Sequence, residues 1–421
     1  MKILFIASRF PYPPIQGDRV RAYHFLRLLS RQHSITLVAP VPGPIDSRVQ
    51  QIVTQLCERW VPVRVSQWQA IAHLICFPFS ELPLQTLYFC PPIIQKCVQN
   101  LVREEHFDLI HVQLARMAPV ADGLSGVPKV IDFIDALSLN MNRRATRERW
   151  PMKWIFHLET RRMARYEQEL VSSFDQQIIS SSLDKEAIGA SETLHVIPNG
   201  VNIEDFPYTE NEREDNIILF TGRMGYFPNA EAAVYFATQV FPLILQQKPD
   251  ARFLIVGADP PRRVRRLARF PGVEVTGYVP RIQDYLARAT VAVAPMQAGS
   301  GMQFKVLEAM ASGAPVVATR YALGGIEAVD GEHLLVAEDT DSLADQVVRL
   351  LRDPALRRRL ARNARRLVEE KYTWERSVEM LEEVYRLAIE RRNGRLLRRK
   401  PHGSGDAVSI SNGRRPTGRS R

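Results

Sequence analysis

The stretch Ala294 to Thr319, APMQAGSGMQFKVLEAMASGAPVVAT, decides how the second half of the chain is read. A short apolar run ends at Ala294 and gives way to Gly299-Ser300-Gly301. A helical pattern follows through Ala311, and Gly313-Ala314-Pro315 leads directly into a second apolar run, Val316 to Ala318. Strand, glycine loop, helix and strand in this order form one unit of a parallel sheet covered by helices. The loop and the helix N-terminus offer backbone N–H groups and the positive end of the helix dipole to a diphosphate, and Lys305 in the first turn adds a full charge. Glu308, nearly one turn later, can accept hydrogen bonds from a ribose diol. The same two side chains would also suit the solvated face of a core helix, and periodicity alone does not separate the readings.

Outward from this unit the alternation continues. Strand patterns at Ile217 to Phe220, Phe253 to Val256 and Val273 to Thr276 precede Val291 to Ala294, each followed by a Gly- or Pro-containing loop and a helix. A first series lies upstream: strands at Ile3 to Ala7, Ile35 to Ala39, Leu109 to Val112, Lys129 to Phe133 and Gln177 to Ser180, with a helix at Arg19 to Ser30. Two doubly wound α/β domains are expected, 1–195 and 196–373, joined through a connection between Glu192 and Asp215. A last helix over 374–392 packs back on the first domain, and a basic, disordered tail covers 393–421. A chain of 421 residues is long enough for two such cores. Ligands of open α/β sheets bind beyond the carboxyl ends of the strands, so the chemistry is sought in those loops.

Composition removes several function classes. The apolar (45%) and charged (24%) fractions are those of a globular protein. The net charge of +10 would suit a nucleic-acid binder, but +9 of it lies between Arg386 and Arg421, leaving a nearly neutral body. That pattern describes a basic tail rather than a binding face, and no nucleic-acid partner is expected. Cys57, Cys76, Cys90 and Cys97 form no CxxC pair, which argues against zinc and a disulfide framework and fits a reducing cytosol. The opening MKILFIASRF is too short an apolar run for a signal peptide and reads as a first strand. No run approaches the roughly 18 apolar residues of a membrane span. A cytoplasmic protein is expected, peripheral to the membrane at most.

Three segments in order resemble one known family. Glu308-Ala309-Met310-Ala311-Ser312-Gly313-Ala314-Pro315-Val316-Val317 is similar to the signature of the retaining family 4 glycosyltransferases of GT-B fold, in which a Glu, seven residues and a second Glu precede Ala-Met-Ala-x-Gly-x-Pro-Val-Val. Ile197-Pro198-Asn199-Gly200-Val201-Asn202 resembles their interdomain turn, and Thr221-Gly222-Arg223-Met224-Gly225 their first donor-domain loop. The chain also resembles, within that family, sugar transferases associated with exosortase and exopolysaccharide systems. The resemblance covers about residues 1 to 390. It implies two Rossmann-like domains facing a cleft, transfer of a sugar from a nucleotide-sugar to a glycan or lipid-linked acceptor, and retention at the sugar. No acidic pair suited to a metal-diphosphate clamp is evident in the sequence, so neither metal nor cofactor is expected.

The resemblance also assigns roles. Gly17, in Gln16-Gly17-Asp18-Arg19, falls where the family has a glycine turn facing the donor phosphates. Arg223 would support the leaving diphosphate. The family's second basic residue falls near Asn229, so Lys305 is expected to supply that charge instead. Gly299, Ser300, Gly301 and Glu308 complete the donor-binding set. Ser300 replaces the family's first Glu, and Gln113 replaces an active-site His, while Asp135 matches the Asp of a His-Asp pair. Asp135, Gln113 and Lys305 are therefore the candidate catalytic residues. His111 reads as a strand residue. Asp132 and Asp135 could contact an acceptor hydroxyl or cap the following helix.

Two segments have the composition of a membrane-facing surface. Trp68 to Cys90 is apolar and aromatic with the single charge Glu81, and Arg143 to Arg165 holds eight basic residues, two acids and the aromatics Trp150, Trp154 and Phe156. A core-facing helix followed by a solvated one accounts for them equally. A GT-B sugar-nucleotide epimerase is the alternative enzyme. It needs carboxylates and a His in the cleft to move a proton, where this chain has Ser300 and Gln113.

Overall fold

The computed structural model describes residues 1–421 except 42, 44–45, 146–149, 151, 210–212, 298–300 and 400–421. Two parallel sheets organise them. The first contains β1 (Lys2–Ile6), β2 (Ser34–Val41), β3 (Arg59–Arg64), β4 (Leu109–Gln113), β5 (Lys129–Asp132), β6 (Gln176–Ile179) and β7 (Leu194–Val196) in the order β3-β2-β1-β4-β5-β6-β7. The second contains β8 (Ile217–Thr221), β9 (Arg252–Val256), β10 (Val273–Gly277), β11 (Val291–Ala294), β12 (Val316–Thr319) and β13 (Leu335–Ala337) in the order β10-β9-β8-β11-β12-β13.

Central strands such as β1, β8 and β11 are buried on both faces, which is why they read as unbroken apolar runs. The three strands not anticipated from sequence, β3, β7 and β13, are all sheet edges. β3, RWVPVR, is mostly exposed and includes Pro62, whose missing N–H is tolerated at an edge.

Separate apolar cores cover the two faces of the first sheet, and a third fills the second half. The final helix, Trp374–Arg399, contributes Trp374, Leu381, Tyr385 and Ala388 to the core of the first half. It is longer than the sequence suggested: Gly394 costs only about 1 kcal/mol within a helix, and its flanking arginines and leucines are good helix formers. The rest of the expected tail lies outside the described residues.

The chain thus passes between the halves twice, and the crossings are pressed together. Val201 N–H donates to Tyr372 O at 2.8 Å, and a Cβ on Gly200 would lie 2.4 Å from the Trp374 nitrogen, so only glycine fits there. Ser377 donates to the Pro198 carbonyl at 2.8 Å. Beneath them Arg21, fully buried, pairs with buried Asp132 at 2.7 Å and donates to Ile197 O and Asn199 Oδ1. No described helix is long and apolar enough to cross a membrane.

Candidate active site

Each sheet has one place where strand order reverses: between β1 and β4 in the first, and between β8 and β11 in the second. Loops leaving neighbouring strands there diverge to opposite faces and open a crevice. Gly17 follows β1, Gln113 ends β4, Gly222 and Arg223 follow β8, and Lys305 lies beyond β11.

The two halves touch at these loops. A Cβ on Gly17 would come within 3.7 Å of the Phe304 ring. Gly301, at φ +69, is pressed on Asp135: a Cβ there would lie 2.1 Å from the carboxylate Oδ1. A Cβ on Gly325 would meet Ser181 at 2.4 Å. Gly299 and Ser300 lie outside the described residues.

On the donor side Lys305 is enclosed by protein. Its ammonium donates to Asn229 Oδ1 at 2.6 Å and Gln303 Oε1 at 3.3 Å, and it lies 5.3 Å from the centre of the Phe220 ring. Asn229 in turn donates to the Arg223 carbonyl at 3.0 Å, so one amide joins the loop after β8 to the cation delivered from the helix Phe304–Ala311. Burial lowers the Lys305 pKa to about 8, with Glu308 opposing the shift. Burial likewise raises Glu308 to about 7, with Lys305 opposing. The Glu308 carboxylate accepts no hydrogen bond from the described residues. Behind Lys305, Met296 lies 3.6 Å away at the rim of a hollow of about 530 Å³ that also reaches Thr319, Arg320 and Tyr321 at the end of β12.

Beside the loop after β8, positive charge gathers. Arg223 is half-exposed and bonded to Asp259 at 2.8 Å. Arg19, in the first turn of the helix Gly17–Leu29, feels Arg223 and Arg9 as like charges, and its Nε is buried without a hydrogen-bond partner. Arg9 and the buried Arg116 both approach Asp18, at 3.7 and 3.4 Å. Arg19, Arg9 and Arg116 were not singled out from sequence. A signal was present for Arg19: a cation opening a helix opposes the helix dipole and asks for an anion nearby.

The remaining candidates divide. Gln113 is 1% exposed and its amide donates to the Asp18 carbonyl at 3.0 Å, so it holds the Gly17 loop from below. His111 is fully buried, bonded to Tyr385 at 2.8 Å and stacked on Phe5, with burial pushing its pKa down to about 3. Asp132 is committed to Arg21 and to the Ile134 N–H, which leaves it no part in acceptor binding. Asp135 is different. It follows Ile134, held at φ +61, and hydrogen-bonds Ser180 at 3.3 Å. Burial, then the neighbouring Asp184, raises its pKa to about 7. Asp184 and Glu167 cap the next helix through Ala136, Leu137 and Ser138, and this fixes the Asp135 turn.

Comparison with known proteins agrees with this geometry. Residues 215–353 match the family described as glycosyl transferases group 1. An uncharacterised 44.6 kDa protein in the cps region of Klebsiella pneumoniae is 21% identical over 88% of this chain and 96% of its own length. The MMP α-(1→4)-mannosyltransferase of Mycolicibacterium hassiacum is 26% identical over 69% of this chain and 72% of its own. Among solved structures, Anabaena HepE in complex with UDP and glucose superposes with a TM-score of 0.65 at 17% identity, covering 91% of this chain and 98% of that one.

Proposed function

We propose that the chain is a nucleotide-sugar-dependent glycosyltransferase of glycan biosynthesis, with a group 1 glycosyltransferase domain on a GT-B scaffold, and that its cleft performs the transfer as follows. The reading rests above all on Lys305, an enclosed cation held against the turn after β8. The donor diphosphate lies between Arg19 and Arg223, with the N-terminus of the helix Phe304–Ala311 and Lys305 beneath it. Glu308, with no donor among the described residues, accepts from the ribose. Three preset cations neutralise the charge that grows on the leaving diphosphate, and the enclosed Lys305 acts most strongly because it is shielded from water. Transfer therefore needs no divalent cation.

The acceptor hydroxyl enters from the Asp135 side and attacks the face the diphosphate leaves, so the sugar configuration is retained. Asp135, with its pKa near 7, takes the hydroxyl proton or stabilises the cationic sugar. Gln113 keeps the Gly17 loop in position. Binding of UDP and glucose by Anabaena HepE supports a uridine donor. The acceptor is a glycan or lipid-linked glycan at the cytoplasmic face of the membrane.

The test is release of nucleoside diphosphate from a panel of nucleotide-sugars, with and without EDTA, and NMR of the product. Acceptor-dependent release that persists in EDTA and gives the donor's anomeric configuration supports the reading. Inversion would remove the retaining step. Conversion of the free donor to its epimer without an acceptor would favour the epimerase.

A further inference from the structure

Between β3 and the helix Pro92–Glu104, the helices Gln67–His73 and Leu84–Phe89 and the turn Leu74–Phe79 form an insertion outside the sheet. The insertion packs on the long helix Met152–Ser173. Arg162 covers the Phe77 ring at 4.2 Å, and Leu84 N–H donates to Glu159 at 2.8 Å. Two sequence-distant segments therefore make one surface, with its apolar side chains turned outward. Trp68 is 81% exposed, Ile75 76%, Trp150 84% and Trp154 65%, with Ile71 and Met152 beside them. Three of the chain's five tryptophans are there. A folded protein has no reason to leave such groups in water unless something covers them.

The charges choose the occupant. The insertion contributes almost no charge, while Lys153, Arg161 and Arg165 stand exposed on the long helix. Tryptophans with a basic margin match the boundary of an anionic bilayer, where indole rings settle at headgroup depth and each Lys or Arg adds to the attraction. The surface also borders the cleft. Phe89, at the end of the insertion, lies under Arg9 and Arg116 at the carboxyl ends of β1 and β4, and the helix Leu137–Ala145 begins two residues after Asp135.

We propose that this surface docks on anionic membrane and presents the Asp135 side of the cleft to a lipid-linked acceptor. Its purpose rests on the transferase reading, but the docking does not. The test is co-sedimentation of the full chain with vesicles of phosphatidylcholine, with and without phosphatidylglycerol. The wild type is compared with a Trp68→Ala/Trp154→Ala variant and with a Lys153→Gln/Arg161→Gln/Arg165→Gln variant. Binding that requires phosphatidylglycerol, weakens in high salt and falls at least about tenfold in each variant supports the inference. Quenching of tryptophan fluorescence by lipids brominated in the acyl chain is expected alongside it.

These side chains are exposed, so both variants should melt as the wild type does and release nucleoside diphosphate from a soluble donor unchanged. Equal binding by all three proteins assigns membrane affinity to the basic tail and overturns the proposal. So does a wild-type dimer, seen by light scattering, that the tryptophan variant dissolves without any vesicle binding. Loss of donor turnover in the wild type would instead count against the transferase reading and leave the docking result standing.

Discussion

The two halves share one plan, a parallel sheet with a switch point, but use it differently. The second half holds the groups we assign to the donor still: Lys305, Asn229 and the Arg223 carbonyl form a connected set, and glycines at 222 and 257 let the backbone close up around it. A Cβ on Gly257 would lie 1.9 Å from the Gly222 carbonyl oxygen, so that approach exists only for glycine. The first half places one raised carboxyl, Asp135, against the joint and turns tryptophans outward at its edge. A diphosphate is the same in every nucleotide-sugar and suits a fixed grip. Acceptors differ, and the half we propose meets them carries the insertion after β3.

The strongest way to break that contrast is to remove the fixed cation. Lys305→Ala is expected to lower kcat/KM about 10²- to 10³-fold, as loss of one preset charge stabiliser does, while the fold stays intact; near-normal turnover would detach Lys305 from the leaving group. Next, Asp132→Asn attacks the first half's internal support. It leaves Arg21 buried without its counter-ion and should cost about 3 kcal/mol, read as a lowered denaturant midpoint. A midpoint equal to that of the wild type would show that the pair is not what holds the crossings.

Gly301→Ala tests the joint between the halves. The new methyl meets the Asp135 carboxylate at a φ that favours glycine, so turnover should fall about 10- to 100-fold through misplacement of the two sides. Affinity for free UDP, assigned mostly to Arg223, Lys305 and Glu308 of the second half, should fall less than turnover.

The smallest effect is in pH. Lys305, lowered to about 8, keeps its charge below that pH, and Glu308, raised to about 7, is ionised above it. Donor affinity should therefore be greatest near neutrality, weakening as pH rises through about 8 and as it falls through about 7. The Glu308→Ala variant should lose the acid limb and keep the alkaline one. A pH-independent affinity would contradict both roles.

Much of the architecture was legible because buried parallel strands advertise themselves. What escaped were β3, β7 and β13, edges too short or too exposed to carry an apolar run. Lys305 and Glu308 could be singled out together because loop, helix start and lysine are contiguous between Ala294 and Glu308. Gln113 and Asp132 misled because position at a strand's end does not reveal a partner: the Asp18 carbonyl and Arg21 come from the helix after β1, about a hundred residues earlier. Arg116 stayed hidden for the same reason, since only folding brings it to Asp18 and Phe89.

The double crossing at Gly200 and Trp374 constrains how the molecule can move. One flexible strand between two bodies would allow tilt, twist and slide. Two strands held side by side define a line, and what remains is rotation about it, in the manner of a door. The edge of that door is the row of contacts Gly17–Phe304, Gly301–Asp135 and Gly325–Ser181. A swing about that line must part all three together, and the return stroke restores Asp135 and Lys305 to the same relative position each time.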